Sequence, residues 1–399
     1  MSTADLEAWC LSALRESKSR KCDDPGSLSE LTVVVPSYGR PDFLLRQAVY
    51  WSGAAATLLI ADGSPEPLSA RVREAFAAEP KIQYLHLPGD VVTRLNRAAG
   101  HIRTPYAVLL GDDEFLLRSG LSQAINRLEN DPTLVACIGQ SLAFAPRSDG
   151  THVTYGPGYA HWRFSAKQDD LKERVVASMA SYNAATCYAV FREPFWSRSW
   201  GAIRHWTSPY ASEVQQAIAT YIFGKVSTVD DVYWLRSTEN PSVAVTTDWG
   251  RNLPFAEWWL SPGFEQERAS FVETLAGEAV GEQRVSGITA SAIVHDAVEA
   301  YVDLCRRRKP TKSSKFRAFA RQMVVKTLRA ALSEHDFHAM KARTVRLLGL
   351  KGGEGFGSLA EVLCRTDRDA FVVSPEAALE FAEVEHLIAE FYEVRLRKR

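Results

Sequence analysis

Three consecutive acids, Asp112, Asp113 and Glu114, follow the apolar run Tyr106 to Leu110 and a single Gly111. Carboxylates at the end of a buried run are costly to desolvate unless they hold a cation or face a solvated cleft. Their oxygens suit Mg²⁺ or Mn²⁺, which are usually held by one or two carboxylates together with substrate phosphates. A charged surface turn is the plain alternative, and the apolar run directly before the acids weighs against it. Other stretches offer complementary groups. Pro36, Ser37, Tyr38 and Arg40 follow the run Leu31 to Val35. They put a hydroxyl, an aromatic face and a guanidinium in one loop, which suits a base and phosphates as well as it suits an ordinary strand-to-helix connection. Asp62, after Thr57 to Ala61, can accept from a base imide or a ribose hydroxyl, although taken alone it reads as an Asp-Gly turn. Arg94 and Asn96 precede the acidic run and suit a diphosphate or the acids themselves, against the alternative of a solvated helix face. Glu213 opens an amphipathic stretch about a hundred residues on. It is a candidate general base, or an acid favoured by the dipole of a first helical turn.

These residues need elements to hold them. Leu31 to Val35, Thr57 to Ala61, Ile82 to Leu87 and Tyr106 to Leu110 are continuous apolar runs of the kind found in parallel strands buried on both faces. Pro36 is expected to stop the first. Helical spacing between them, at 42–52, 67–78 and 91–101, predicts an α/β doubly wound sheet with ligands at the carboxyl ends of its strands. Further on, the pattern predicts helices at 119–130, 171–181 and 210–223 and strands at 134–140, 142–145, 186–192 and within 225–235. It predicts an irregular loop or hairpin at 146–170 and an aromatic-rich turn region at 194–209. From about residue 250 it predicts only helices, at 255–281, 285–308, 313–333, 334–349 and 375–398. The expected units are therefore 1–30, a short helix and linker; 31–248, the sheet domain; and 249–399, a helical extension.

Bulk composition sets the class. Of 399 residues, 46% are hydrophobic and 24% charged, with a formal net charge of −1, so no global field favours nucleic acid. The six cysteines form no CxxC pair, which argues against a zinc site or disulfide framework and fits a reducing compartment. No apolar run approaches membrane-spanning length and the start of the chain lacks a signal-peptide core, so a cytoplasmic location is expected.

Taken in order, VVVPSYGRP, LLIADGSPE, RLNRAAGHIRTPYAVLLGDDEF, SEVQQAIATYIFGK and WLRSTENPS resemble a family 2 glycosyltransferase of the GT-A type, over about residues 31 to 245. The resemblance implies a GT-A fold, Rossmann-like with a mixed, mostly parallel sheet. It implies a nucleotide-sugar donor, a glycan, lipid-linked or protein acceptor, and Mn²⁺ or Mg²⁺. It assigns donor contacts to Pro36, Ser37, Tyr38, Arg40, Asp62, Arg94, Asn96 and Asp112, and the metal to Asp113, Glu114 and Asp112. Glu213 inherits the base by position. The chain departs from the family where Ala61 replaces the first acid of the second-strand pair. It departs again at Gly111-Asp112-Asp113-Glu114, where an Asp-x-Asp motif aligns in two registers: Gly111 with Asp113, or Asp112 with Glu114. Ser212-Glu213 stands for the family's acidic pair. Acceptor contacts are expected within 155 to 210, where Asn183, His205 and Trp206, with His161 and Trp162, could face a sugar or simply pack. Two other classes compete. A nucleotidyltransferase would want a glycine-rich loop with a Lys or Arg after strand one, of which Ser37 to Arg40 is a poor version. A scaffold with a degraded site would explain the departures.

Basic residues from Arg306 to Arg346 are opposed only by Glu334 and Asp336, whereas 354–393 is acid-rich. Helical packing or oligomerisation is the preferred reading over contact with an anionic membrane face. The glycine-rich Lys351 to Gly357 follows a predicted helix and lacks a Gly-Lys-Ser/Thr ending, so a turn is expected there.

Overall fold

The computed structural model describes residues 3–17, 25–146, 152–158, 164–240, 253–308, 356–365 and 372–396. Its centre is a nine-stranded sheet. The first part alternates strand and helix: β1 (Leu31–Ser37), α2 (Pro41–Trp51), β2 (Thr57–Asp62), α3 (Ala70–Ala77), β3 (Ile82–His86), α4 (Val91–Ala99) and β4 (Tyr106–Leu109), preceded by α1 (Thr3–Ser17). β1 pairs in parallel with β2 and with β4, and β2 with β3. Val33, Val34 and Val35 are fully buried, as a run without alternation requires when helices cover both faces. The expected stop at Pro36 is not observed, since β1 continues to Ser37 in register with Asp62. The β4 ladder ends at Val34, and Val34 and Pro36 face the same side of the strand. The missing N–H of Pro36 therefore breaks no bond.

The second part is mixed. It comprises β5 (Phe115–Leu116), α5 (Arg118–Glu129), β6 (Leu134–Pro146), β7 (Val153–Pro157), α6 (Leu171–Ala180), β8 (Val190–Arg192), α7 (Glu193–Ser199), α8 (Pro209–Phe223) and β9 (Lys225–Ser237). Strand order across the sheet is β3-β2-β1-β4-β8-β6-β9-β5, with β7 on β6. Several elements differ from expectation. β6 is one strand where two were expected, and register shifts against β9 around Gln140 bend it without ending it. Ala184–Tyr188 is a 3₁₀ turn, so the strand expected from 186 starts at Val190. A helix, α7, occupies the start of the expected turn region, with Pro194 in its first turn, where no N–H is needed.

Helices follow the sheet: α9 (Phe255–Leu260), α10 (Glu265–Gln283), α11 (Gly287–Arg307), α12 (Leu359–Arg365) and α13 (Pro375–Leu396). The single helix expected over 255–281 is broken between α9 and α10, where Pro262 is followed by Gly263 at φ +93°, a backbone only glycine adopts cheaply. The helices expected at 313–333 and 334–349, most of the basic run, and the 248/249 boundary lie outside the described residues. One hydrophobic cluster joins Leu6 of α1, the valines of β1, Phe271 of α10, Val298 of α11 and Phe391 of α13.

Candidate active site

Strand order reverses between β1 and β4. The chain adds β2 and β3 on one side of β1, then crosses to add β4 on the other. The crevice beyond the carboxyl ends of strands at such a switch point is where open α/β sheets bind ligands. Here Ser37, at the end of β1, donates its hydroxyl to Asp112 Oδ2 at 2.6 Å. Arg40 Nη1 lies 3.0 Å from Asp112 Oδ1 and 3.5 Å from Asp113 Oδ2. Asn240 Nδ2 also donates to Asp113 Oδ2, at 2.8 Å. Burial, with the Asp113 charge adding, pushes the Asp112 carboxyl up to about 6, against the pull of Arg40 and Ser37. Asp113 is only partly buried.

Glu114 is set apart from the pair. It is buried, and its Oε2 accepts from the Trp234 indole at 3.0 Å. Burial and the nearby Asp113 charge push it up to about 8, which leaves it mostly protonated at neutral pH. Asp112 and Asp113 do fit a divalent cation: an oxygen of each converges on one cationic nitrogen, as it would on Mg²⁺ or Mn²⁺. Among the described residues no set of three His, Cys, Asp or Glu side chains is placed to hold a metal. The protein would supply two carboxylates, and phosphate and water the remaining ligands.

Asp62 lies beside Ser37 in the β1–β2 register. Its Oδ1 accepts from the Ser64 amide at 2.9 Å and the Ser64 hydroxyl at 2.6 Å, and its Oδ2 from the Tyr84 hydroxyl at 2.7 Å. Ser64 Oγ in turn accepts from the Gly39 amide at 2.9 Å, which ties the loop after β1 to the loop after β2. Tyr38 keeps 47% of its surface exposed, so its ring is open to a planar partner. Arg94 is buried beneath this loop, donating to the Ser37 carbonyl and, through Nε, to the Asp90 carbonyl at 3.2 Å. A Cβ at Gly63 would lie 2.6 Å from Arg94 Cδ, so the close approach of the guanidinium requires glycine there. The Asn96 side chain points elsewhere: it donates to the Ile203 carbonyl at 3.1 Å.

The candidates on the far side are held differently. Glu213, in the first turns of α8, is half-buried and accepts from the Tyr182 hydroxyl at 2.8 Å. Burial raises its pKa, and the Tyr182 hydrogen bond opposes that. Asn183 accepts from the Ala185 amide at 3.0 Å and so caps the 3₁₀ turn. Trp206 packs edge-on against Phe271 at 5.3 Å and donates to Gln215 at 2.9 Å. His205 is exposed, with Nε2 at 3.5 Å from Asp90 Oδ1. His161 and Trp162 lie outside the described residues.

Besides Asn240 and Trp234, five residues outside the expected set shape the acidic turn and the loop around Asp62. Gln47 of α2 donates to the carbonyls of Asp112 at 3.1 Å and Glu114 at 2.6 Å. Its neighbour Arg46 donates to the carbonyl of Asp113 at 2.9 Å and to Glu239 at 2.9 Å. Two polar residues inside the apolar helix stretch FLLRQAVYW were the available signal for this pair. Ser64 was visible only as part of Asp-Gly-Ser. Glu239 was visible only as part of WLRSTENPS, and Tyr84 had no sequence signal, because it acts across the fold.

Residues 32–198 match the model of glycosyl transferase family 2. No curated protein matches the chain. Among solved structures, S. aureus TarS 1-349 aligns over 93% of this chain and 93% of its own, at 10% identity and TM-score 0.45. The same TarS fragment in complex with UDP-GlcNAc aligns over 69% of this chain and 90% of its own, at 10% identity and TM-score 0.41. By the family match, residues 32–198 are a glycosyl transferase family 2 domain on a GT-A-type sheet, and the activity that belongs to the domain is glycosyl transfer.

Proposed function

We propose that this chain is a metal-dependent, inverting glycosyltransferase. It moves a sugar from a nucleotide-sugar donor to a hydroxyl of a glycan, lipid-linked or protein acceptor, in the synthesis of a surface polysaccharide or glycoconjugate. The observation that carries the reading is the meeting of the β1 loop and the β4 end at the switch point, where Asp112 and Asp113 each aim an oxygen at one cation, the Arg40 guanidinium.

In this reading Asp112 and Asp113 hold Mg²⁺ or Mn²⁺, and Glu114 remains a buried, protonated support. When bound, the cation neutralises charge on the departing nucleoside diphosphate. Arg40 offers a fork of N–H donors to phosphate oxygens in exchange for the carboxylates it now holds. The open face of Tyr38 takes the base, and Asp62, fixed by Ser64 and Tyr84, takes a base or ribose donor on a remaining lone pair. Glu213 removes the proton from the acceptor hydroxyl. Its raised pKa suits that task, since a carboxylate at its ordinary pKa is a weak base. The hydroxyl oxygen attacks the anomeric carbon from the face opposite the diphosphate. The new C–O bond forms as the old one breaks, so the configuration inverts.

Calorimetry with a panel of nucleoside diphosphates, with and without Mn²⁺, followed by transfer assays with the matching nucleotide sugar, tests this. Mn²⁺-dependent binding of one nucleotide and turnover of its sugar are expected; the absence of both for every nucleotide would overturn the proposal. Work at the inner face of a membrane, on a lipid-linked acceptor, predicts salt-sensitive flotation with anionic vesicles. No helix among the described residues is long and apolar enough to cross one.

A further inference from the structure

The end of α13 reaches the acidic turn through a buried chain of contacts. Arg46 is fully buried. Its Nη1 donates to Glu239 and its Nη2 to the Asp113 carbonyl. Its guanidinium carbon sits 4.7 Å from the Phe43 ring centroid, 5.0 Å from Phe115 and 5.0 Å from Phe391. Phe43 is on the same helix as Arg46, and the other two rings come from β5 and α13, so the guanidinium is caged by its own helix and by two elements distant in sequence. Tyr392, next to Phe391, donates its hydroxyl to Glu239 Oε2 at 3.0 Å. Arg395, one turn on, lies 3.5 Å from Asp42 at the start of α2.

This arrangement is a poor way to gain stability. Removing two charges from water costs more than a well-packed apolar pair would, and here the Arg46 Nε has no hydrogen-bond partner among the described residues. The apolar docking of α13 is already supplied by Phe381, Val384 and Ile388, all in the core cluster. What an apolar pair could not do is donate to the main chain of Asp113. Glu239 itself adjoins Asn240, which holds the Asp113 carboxylate.

We propose that α13 is a positioning element of the site: Tyr392, acting through Glu239 and Arg46, fixes the main chain at Asp113 and thereby the direction of its carboxylate. The proposal rests on the reading of Asp112 and Asp113 as the donor-metal corner, and it names a role for the far C-terminal helix in that corner. None of these residues touches substrate in this account.

The test compares the full chain with its Tyr392→Phe and Glu239→Gln variants, and with Val384→Ala as a control on the same helix outside the contact chain. Hydrogen exchange is read over residues 110–116, and affinity for Mn²⁺ alone is read by its resonance signal. Losing one hydrogen bond to a charged group should speed exchange at 111–114 by about tenfold and weaken Mn²⁺ binding by a similar factor. Exchange in β2 and β3 should not change. Val384→Ala should lower the thermal midpoint without selectively loosening the turn. Unchanged exchange at 111–114 in both contact-chain variants, or equal loosening by Val384→Ala, overturns the proposal. If the wild-type chain binds no Mn²⁺, the donor-metal reading falls, and the exchange data still decide whether α13 holds the turn.

Discussion

The two sides of the candidate site are built by different means. On the donor side, Ser37, Asp62 and Asp112 sit at the ends of neighbouring parallel strands, and their side chains are bound by one another or by the loops between them. On the acceptor side, the candidates are mostly spent on holding the structure: Asn183 on its own turn and Trp206 in an aromatic cluster. Strand register puts residues from distant stretches side by side with little freedom, whereas loops reach the same place only through many individual contacts. The difference teaches that an acid at a strand end carries positional information which an aromatic in a loop does not.

Mutations can break or sharpen this contrast. The largest effect is expected for Glu213→Gln and Asp113→Ala. Glu213→Gln should cost about 10²–10⁴-fold in transfer, the range for a lost general base, while nucleotide binding persists. The wild-type rate should rise with pH through the burial-raised pKa of Glu213, because the base acts only when ionised, and the glutamine variant should lose that limb. Near-normal turnover in the variant would hand the base to another group. Asp113→Ala should abolish metal-dependent turnover, by at least about 100-fold, with the thermal midpoint retained. A fully active variant would remove the metal assignment.

Next in size is a pair that probes the acceptor side. Trp206→Ala should destabilise the chain by about 3 kcal/mol, the low end for an aromatic truncation because the ring is only partly buried. His205→Ala should stay within about 0.5 kcal/mol, as an exposed residue does. Denaturant titration checks both, and the opposite ranking would mean that the aromatic cluster does not anchor this loop.

The smallest effect concerns Glu114 and separates the two registers of the acidic motif. Its folded pKa, about 8, is raised above the ordinary value of 4.5. The stability it contributes is therefore fully present below 4.5 and lost as pH rises through about 8. Glu114→Gln removes that loss, so its stability relative to wild type should rise between pH 5 and pH 9. Thermal midpoints at the two pH values measure it. The variant should also keep its affinity for Mn²⁺; loss of binding there would favour the Asp112–Glu114 register.

Much of the parallel half was legible in the chain itself. Continuous runs such as Leu31 to Val35 declare strands buried on both faces, and their polar endings declare the side where a ligand is met. The mixed half was less legible for local reasons. Ala184–Tyr188 has strand-like composition but winds into a 3₁₀ turn capped by Asn183, and α7 carries in its first turn a proline that reads as a breaker. The fate of Asn96 was hidden because a helix face gives no sign of which loop will cover it.

The acidic triplet shows where the boundary lies. Sequence alone determined that three carboxylates end a buried strand near a hydroxyl, a guanidinium and a second strand-end acid, because those statements depend only on order and apolar patterning. Only the tertiary structure separated Asp112 and Asp113, which share the Arg40 guanidinium, from Glu114, which is buried against Trp234. Only it brought Arg46, Glu239 and Tyr392 beneath the turn. The physical reason is that a carboxylate's charge state and direction are set by desolvation and by partners, and here those partners, Ser37 and Arg40 after β1, Trp234 of β9 and Asn240, come from stretches far apart along the chain.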